Sequence, residues 1–268
     1  MTASPDFDIS CFPSQEELAA RFNSAATTNE TLQQINEVYR TKVMFSAPER
    51  IVTLSMSSIY PEEGRALWYL TDKLKPSTVI EVGFGFGTSA AFFLAGVAPY
   101  DGRLISIDSL LSTWTEGEGQ TYIEKLKLSP YHTLIEERSD IVLPTFITLK
   151  KLSAPLKLSF IDGSHFFEDK LLDFVFLDRM TEIGGVIAFD DAHAPSVRTL
   201  ASFIAYNYPY RLHYVTSRLL LCQKMDTLEK REWCHFRPFQ SSTKADWDIH
   251  TDRPDTAAVP GATFSKVR

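Results

Sequence analysis

Between Ser77 and Lys224 the chain switches repeatedly between two apolar periods, and this alternation limits the available folds more than any other feature. "STVIEV", "GRLISID", "HTLIEE", "LKLSFID" and "GGVIAFDD" are short apolar runs rich in β-branched residues. Helical stretches separate them, among them "TSAAFFLAGVA", "DIVLPTFITLKKL", "FFEDKLLDFVFLDRM" and "PSVRTLASFIAYN". Phe167, Leu171, Phe174 and Leu177 line one face of the third. Such alternation, with strands apolar on both faces, predicts an α/β domain built on a doubly wound, mostly parallel, seven-stranded Rossmann-like sheet. "YRLHYVT" and "RLLLCQK" end the series close enough in sequence to pair antiparallel, which makes the last strand the reversed one.

The flanks read differently. Ser14 with Glu17, and Thr27 with Glu30, fit capping boxes ahead of two helices, so residues 1–50 are expected to form a helical extension, a lid or an oligomer contact. Pro61 and the acids after it suit a third helix start, with Leu67, Leu70 and Leu74 as its apolar stripe. The central domain is expected over residues 51–236. After Pro238 the chain turns to Ser, Thr, Asp, Pro and Ala, and residues 237–268 read as a loosely held polar tail.

With 27 Lys and Arg against 34 Asp and Glu, the net charge is −7, which argues against a nucleic-acid backbone as the main partner. No apolar run is long enough for a membrane span, and the acidic "MTASPDFDIS" lacks the order of a signal peptide. Cys11, Cys222 and Cys234 are odd in number and lack metal-ligand spacing. Reduced thiols and a cytoplasmic setting are the expectation.

In a parallel sheet, ligands bind beyond the carboxyl ends of the strands at the switch in strand order. "VIEVGFGFGTSAAFFL" places Gly83, Gly85 and Gly87 there, with Glu81 on the strand before them. Glycine permits positive φ and removes the Cβ that would keep a ligand away. Asp108, about 20 residues on in "ISID", can accept hydrogen bonds from ribose hydroxyls. The spacing is G-x-G-x-G, not the dinucleotide G-x-G-x-x-G, and no P-loop Lys-Ser or Lys-Thr follows.

These residues resemble the class I S-adenosylmethionine-dependent methyltransferases, whose first motif is similar to "IEVGFGFGTSA". The resemblance runs from about Ser55 to Lys224. It implies that Glu81 is a cofactor contact, that the backbone at Gly83 and Gly85 faces the methionine part of S-adenosylmethionine, that Asp108 holds the ribose, and that Ser139 and Asp140 lie against adenine. Asp140 fits equally well as a helix cap.

Asp162 ends "LSFID", and Asp190 and Asp191 end "GGVIAFDD". On adjacent strands, about 4.8 Å apart, these carboxylates converge. Either a cation holds them together or one of them takes a proton. Hard oxygen ligands suit Mg²⁺, with Mn²⁺ or Ca²⁺ as alternatives. His165, three residues past Asp162 in "DGSH", is a candidate base for a hydroxyl proton, competing with His193.

This set resembles the metal-dependent small-molecule O-methyltransferases. In the catechol-type branch a lysine follows the metal Asp by three residues, and a later strand ends in Asp-Asn. The branches acting on macrolide sugars and resembling cephalosporin hydroxylases are nearer to Asp-x-x-His and Glu-Asp. "DGSH" and "DD" correspond to those positions, with Asp191 in place of the catechol-type Asn. "SMSSIYPEEG" is similar to a catechol-type segment lying against the cofactor, which implies Met56 and Glu63 as further contacts. The expected function is methyl transfer from S-adenosylmethionine to a hydroxyl of a small-molecule acceptor, with a divalent metal and a His base, in a monomer or homo-oligomer. The alternatives are a metal-independent N-methyltransferase, another enzyme using the same cofactor, and a non-catalytic cofactor-binding protein. A Rossmann oxidoreductase is disfavoured by the glycine spacing.

Overall fold

A computed structural model describes residues 7–47, 50–55, 57–110, 115–228, 232–239 and 262–264. Met56 and Trp114, and most of the polar tail, lie outside the described residues. The chain opens with α1 (Gln15–Ala26) and α2 (Glu30–Thr41), then a small antiparallel hairpin of β1 (Val43–Ala47) and β2 (Arg50–Thr53). Ser14 and Glu17 form the expected capping box. Thr27 and Glu30 do not. Asn29 caps α2 instead, its side chain accepting from Leu32 N–H at 3.1 Å. Thr27 closes α1, donating its hydroxyl to the Ser24 carbonyl.

From α3 (Pro61–Leu74) onward strand and helix alternate. β3 (Thr78–Val82), α4 (Thr88–Val97), β4 (Arg103–Ile107), α5 (Glu118–Lys125), β5 (His132–Ile135) and α6 (Ser139–Thr148) form the first half. β6 (Leu156–Ile161), α7 (Phe167–Met180), β7 (Thr181–Phe189), α8 (Pro195–Asn207), β8 (Tyr210–Tyr214) and β9 (Leu220–Lys224) form the second. The sheet order is β8-β9-β7-β6-β3-β4-β5, all parallel except β9, which runs against both neighbours. This is the expected seven-stranded sheet with its last strand reversed. A three-residue strand, β10 (Ala262–Phe264), extends it by pairing parallel to β8.

Period-two alternation sends side chains into two separate cores. Val79, Leu158, Phe160 and Val186 pack on one face with the first five helices. Ile80, Val82, Ile161, Ile187 and Phe189 pack on the other with α6, α7 and α8. Both faces are covered, so the strands are apolar throughout. α4 is buried along its whole length, which explains why its sequence is apolar all round.

The strand order reverses between β3 and β6. Their register pairs Val82 with Ile161, and Ile161 in turn sits opposite Phe189 of β7. The residues just after these strands therefore share one edge: Gly83, Asp162 and Asp190. Gly83 has φ 91°, and a Cβ on it would lie 2.5 Å from the Asp162 carbonyl oxygen. The glycine is thus required by the close approach of β3 and β6 as well as by any ligand.

Candidate active site

A cavity of about 810 Å³ opens at that reversal, within the about 300–1,000 Å³ usual for small-molecule sites. Gly83, Gly85, Asp108, Ser139, Asp140, Asp162, His165, Asp190 and Asp191 all line it. Residues distant in sequence are gathered because each follows the end of a parallel strand or starts the next helix.

At one side stands the glycine loop. Asp108 Oδ2 accepts from the Phe84 and Gly85 N–H groups, both at 2.9 Å, and Oδ1 accepts from Leu110 N–H at 2.9 Å. A carboxylate has about four acceptor positions, so capacity remains for a ligand hydroxyl while the same group ties down the loop. Further along, Asp140 makes a paired contact with the Arg138 guanidinium, 2.9 Å for each bond, and that partner lowers its pKa. Ser139 and Asp140 open the first turn of α6, where N–H groups face outward. Asp173 of α7 closes this end. Burial raises its carboxyl to about 6, and its Oδ1 has no hydrogen-bond partner.

Glu81 does not line the cavity. Its alternation in β3 turns it into the core, where it accepts from the Ser89 hydroxyl and from the Ser106 hydroxyl at 2.6 Å. Ser106 in turn meets His132 Nε2 at 2.9 Å, and the His132 ring stacks on Phe84 of the loop. Glu81 supports the loop from beneath. Burial raises its pKa from 4.5 to about 8, so between those values the unfolded chain releases this proton before the folded one does. Its contribution to stability is complete below 4.5 and is lost as pH rises through about 8. Glu81→Gln is therefore expected to flatten the fall in unfolding free energy between about pH 5 and about pH 8, by at least about 1.4 kcal/mol. Urea unfolding at the two pH values measures it, and an unchanged slope would contradict the assignment.

The other side of the cavity is acidic. Asp162, Asp190 and Asp191 offer ligand oxygens within 4.8 Å of one another. Burial, then the neighbouring Asp190, pushes Asp162 well above the usual carboxylate range. Burial, then Asp191, raises Asp190, whose Oδ1 is buried with no hydrogen-bond partner. Asp191 behaves oppositely. Burial pushes it up, but His165 and Arg218 outweigh that and hold it at about 2. His165 Nδ1 lies 2.9 Å from Asp191 Oδ2, and Arg218 Nη2 lies 2.6 Å from Asp191 Oδ1. Asp191 also takes a left-handed backbone, φ 54°, the sort of constrained conformation that collects at functional sites.

Glu63 sits away from the cavity wall, buried at the start of α3. It accepts from Tyr60 N–H at 2.8 Å and faces Arg218 Nε at 3.4 Å. Burial, then Asp190, raises it to about 8. It lies beside Asp190 and Arg218 and is not among the residues lining the cavity. His193 is 4.0 Å from Asp191 Oδ1, farther than His165. Arg218, which belongs to no sequence motif, also reaches the acids. It lies in the turn between β8 and β9, and only the antiparallel return of β9 beside β7 carries it over the acids.

A Gly-rich loop after the first parallel strand, an acid at the end of the second and a cavity at the β3/β6 reversal are features of a Rossmann-like cofactor-binding fold. Residues 80–192 match the family model described as a methyltransferase domain. Among solved structures, the O-methyltransferase TomG from Streptomyces achromogenes, involved in tomaymycin synthesis and bound to SAM, aligns with TM-score 0.57 at 17% identity. The alignment covers 80% of this chain and 100% of that one. An O-methyltransferase from Bacillus cereus in complex with SAH aligns with TM-score 0.56 at 15% identity, covering 78% and 100%. The SAH-bound methyltransferase PaMTH1 of Podospora anserina aligns at 0.54 and 16%, covering 80% and 98%. At these identities the likeness is one of fold. No curated protein matches the chain in sequence. Among the described residues no helix is long and apolar enough to cross a membrane.

Asp108→Ala is expected to weaken S-adenosylmethionine binding at least about tenfold, because charge-assisted hydrogen bonds are worth about 1.5–3 kcal/mol each. Equilibrium dialysis with labelled cofactor measures this. Unchanged retention by the variant would remove Asp108 from the site.

Proposed function

We propose that the protein transfers the methyl group of S-adenosylmethionine to a hydroxyl oxygen of a small molecule, with His165 as base and a divalent cation at Asp162, Asp190 and Asp191. The pairing of His165 with Asp191 carries this reading. With Asp191 accepting from Nδ1–H, the neutral ring keeps its Nε2 lone pair for a proton, and the side chain is 71% exposed at the cavity.

The backbone at Gly83 and Gly85 faces the methionine part, Asp108 takes the ribose hydroxyls, and Ser139 and Asp140 border the adenine. The acceptor O–H gives its proton to His165 Nε2 as its oxygen attacks the methyl carbon. The carbon–sulfur bond breaks, its electrons neutralise the sulfonium, and S-adenosylhomocysteine leaves. The imidazolium formed is stabilised by Asp191, which stays ionised because His165 and Arg218 hold its pKa near 2.

The oxygen-only donor set and the unpartnered Asp190 Oδ1 fit a hard cation such as Mg²⁺, Mn²⁺ or Ca²⁺. When bound, such an ion lowers the pKa of an acceptor hydroxyl. A metal-independent reading has its own support, since His165 and Arg218 already engage both oxygens of Asp191. Transfer to oxygen is supported by the naming of TomG and the Bacillus cereus protein as O-methyltransferases.

The test offers S-adenosylmethionine with paired panels of hydroxylated and amino compounds and measures S-adenosylhomocysteine release. Release with hydroxylated compounds alone is expected. Release confined to the amines would replace this proposal with N-methylation.

A further inference from the structure

We infer that Arg218 is the resident counter-cation of the acid cluster and competes there with a divalent ion. The inference rests on the cation site proposed above, and its observations are independent of any fold comparison.

Arg218 is held by both its backbone and its side chain. Ala192 N–H donates to the Arg218 carbonyl at 2.7 Å, and Arg218 N–H donates to the Thr216 hydroxyl at 3.0 Å. The β8–β9 turn is thereby latched to the residue following Asp191. From this anchor Nη2 reaches Asp191 Oδ1 at 2.6 Å and Asp190 Oδ2 at 3.7 Å, while Nε faces Glu63 Oε1 at 3.4 Å. The guanidinium carbon lies 5.2 Å from the centre of the Tyr60 ring, an added contact of cation–π type.

The charges surrounding the cluster explain why such a group is needed. Glu63, Asp162, Asp190 and Asp191 face one small volume. Lys170 of α7, wholly buried, acts on Asp162 and Asp191 electrostatically, and its Nζ has no hydrogen-bond partner. His165, which lines the cavity, lies 2.9 Å from Asp191 Oδ2, and His193 lies 4.0 Å from Asp191 Oδ1. Arg218 is therefore the cation in direct contact with three of the four acids. A divalent ion bound by Asp190 and Asp191 has to share their oxygens with the guanidinium or push it away, and like charges at such range oppose each other strongly.

The consequence has a sign opposite to ordinary damage. Loss of Arg218 should strengthen metal binding while weakening the metal-free fold. Mn²⁺ binding is measured by calorimetry on the wild-type chain, Arg218→Gln and Arg218→Lys, together with thermal unfolding in EDTA. Arg218→Gln is expected to bind Mn²⁺ at least about tenfold more tightly, the lower end of what a nearby like charge does to ionic equilibria. Its unfolding temperature should fall in EDTA and recover with Mn²⁺. Arg218→Lys keeps the charge without the fork and should fall between the two proteins.

Equal or weaker Mn²⁺ binding by Arg218→Gln overturns the inference and leaves the cation site standing. An Arg218→Lys variant binding more weakly than wild type overturns it even where the Gln variant does not fold. No Mn²⁺ binding by either the wild type or the variants removes the cation site, and the inference with it.

Discussion

His165→Ala is expected to lower kcat by about 10²–10⁴, the usual worth of a positioned base, with S-adenosylhomocysteine affinity unchanged. His165 contacts Asp191 and faces the cavity, with no hydrogen bond to the glycine loop. The loss should therefore fall on the chemical step and spare donor binding. Imidazole added in solution should restore part of the rate to the variant, because the vacated space lies at the exposed side of the cavity. A variant keeping more than about a third of wild-type turnover, far above the about 10²-fold minimum effect of a base, would make His165 a structural partner of Asp191. His193 would then be the next residue to test.

The second large effect is that of the cation. Exhaustive chelation is expected to abolish turnover, and Mg²⁺ or Mn²⁺ to restore it. Asp162→Asn should lower kcat at least about 10²-fold, consistent with the several kcal/mol a metal ion contributes, while donor binding persists. The donor contacts proposed above lie on the loop, on Asp108 and at the start of α6, with none of them placed on the acid cluster. Full turnover in chelator would assign the cluster's neutralisation to Arg218 and to protons on the buried acids, favouring the metal-independent reading.

The fold was legible because its determinants are local. Buried parallel strands must be apolar on both faces, and "STVIEV" and "LKLSFID" declare this directly. The acids at strand ends were legible for the same reason, once β6 and β7 were taken as neighbours, and the pairing of Ile161 with Phe189 makes them so. What escaped depends on geometry between distant segments. The side on which Glu81 points follows from strand phase, and its burial by Ser89 and Ser106 needs α4 and β4 in place. The resemblance implies Glu63 as a cofactor contact, and its place beside Asp190 and Arg218 is set by the helix start at Pro61. Arg218 belongs to no motif, and only a hairpin closing beside β7 brings it to the acids. Asn29 outcompeted Thr27 as a cap because α2 begins one residue after it.

Whether the cavity at the β3/β6 reversal is a methyl-donor site is measured by calorimetric titration of the full chain with S-adenosylhomocysteine and, separately, with NAD. Stoichiometric binding of S-adenosylhomocysteine at micromolar affinity is expected, with none of NAD in that range. Tight NAD binding with no heat from S-adenosylhomocysteine would contradict it.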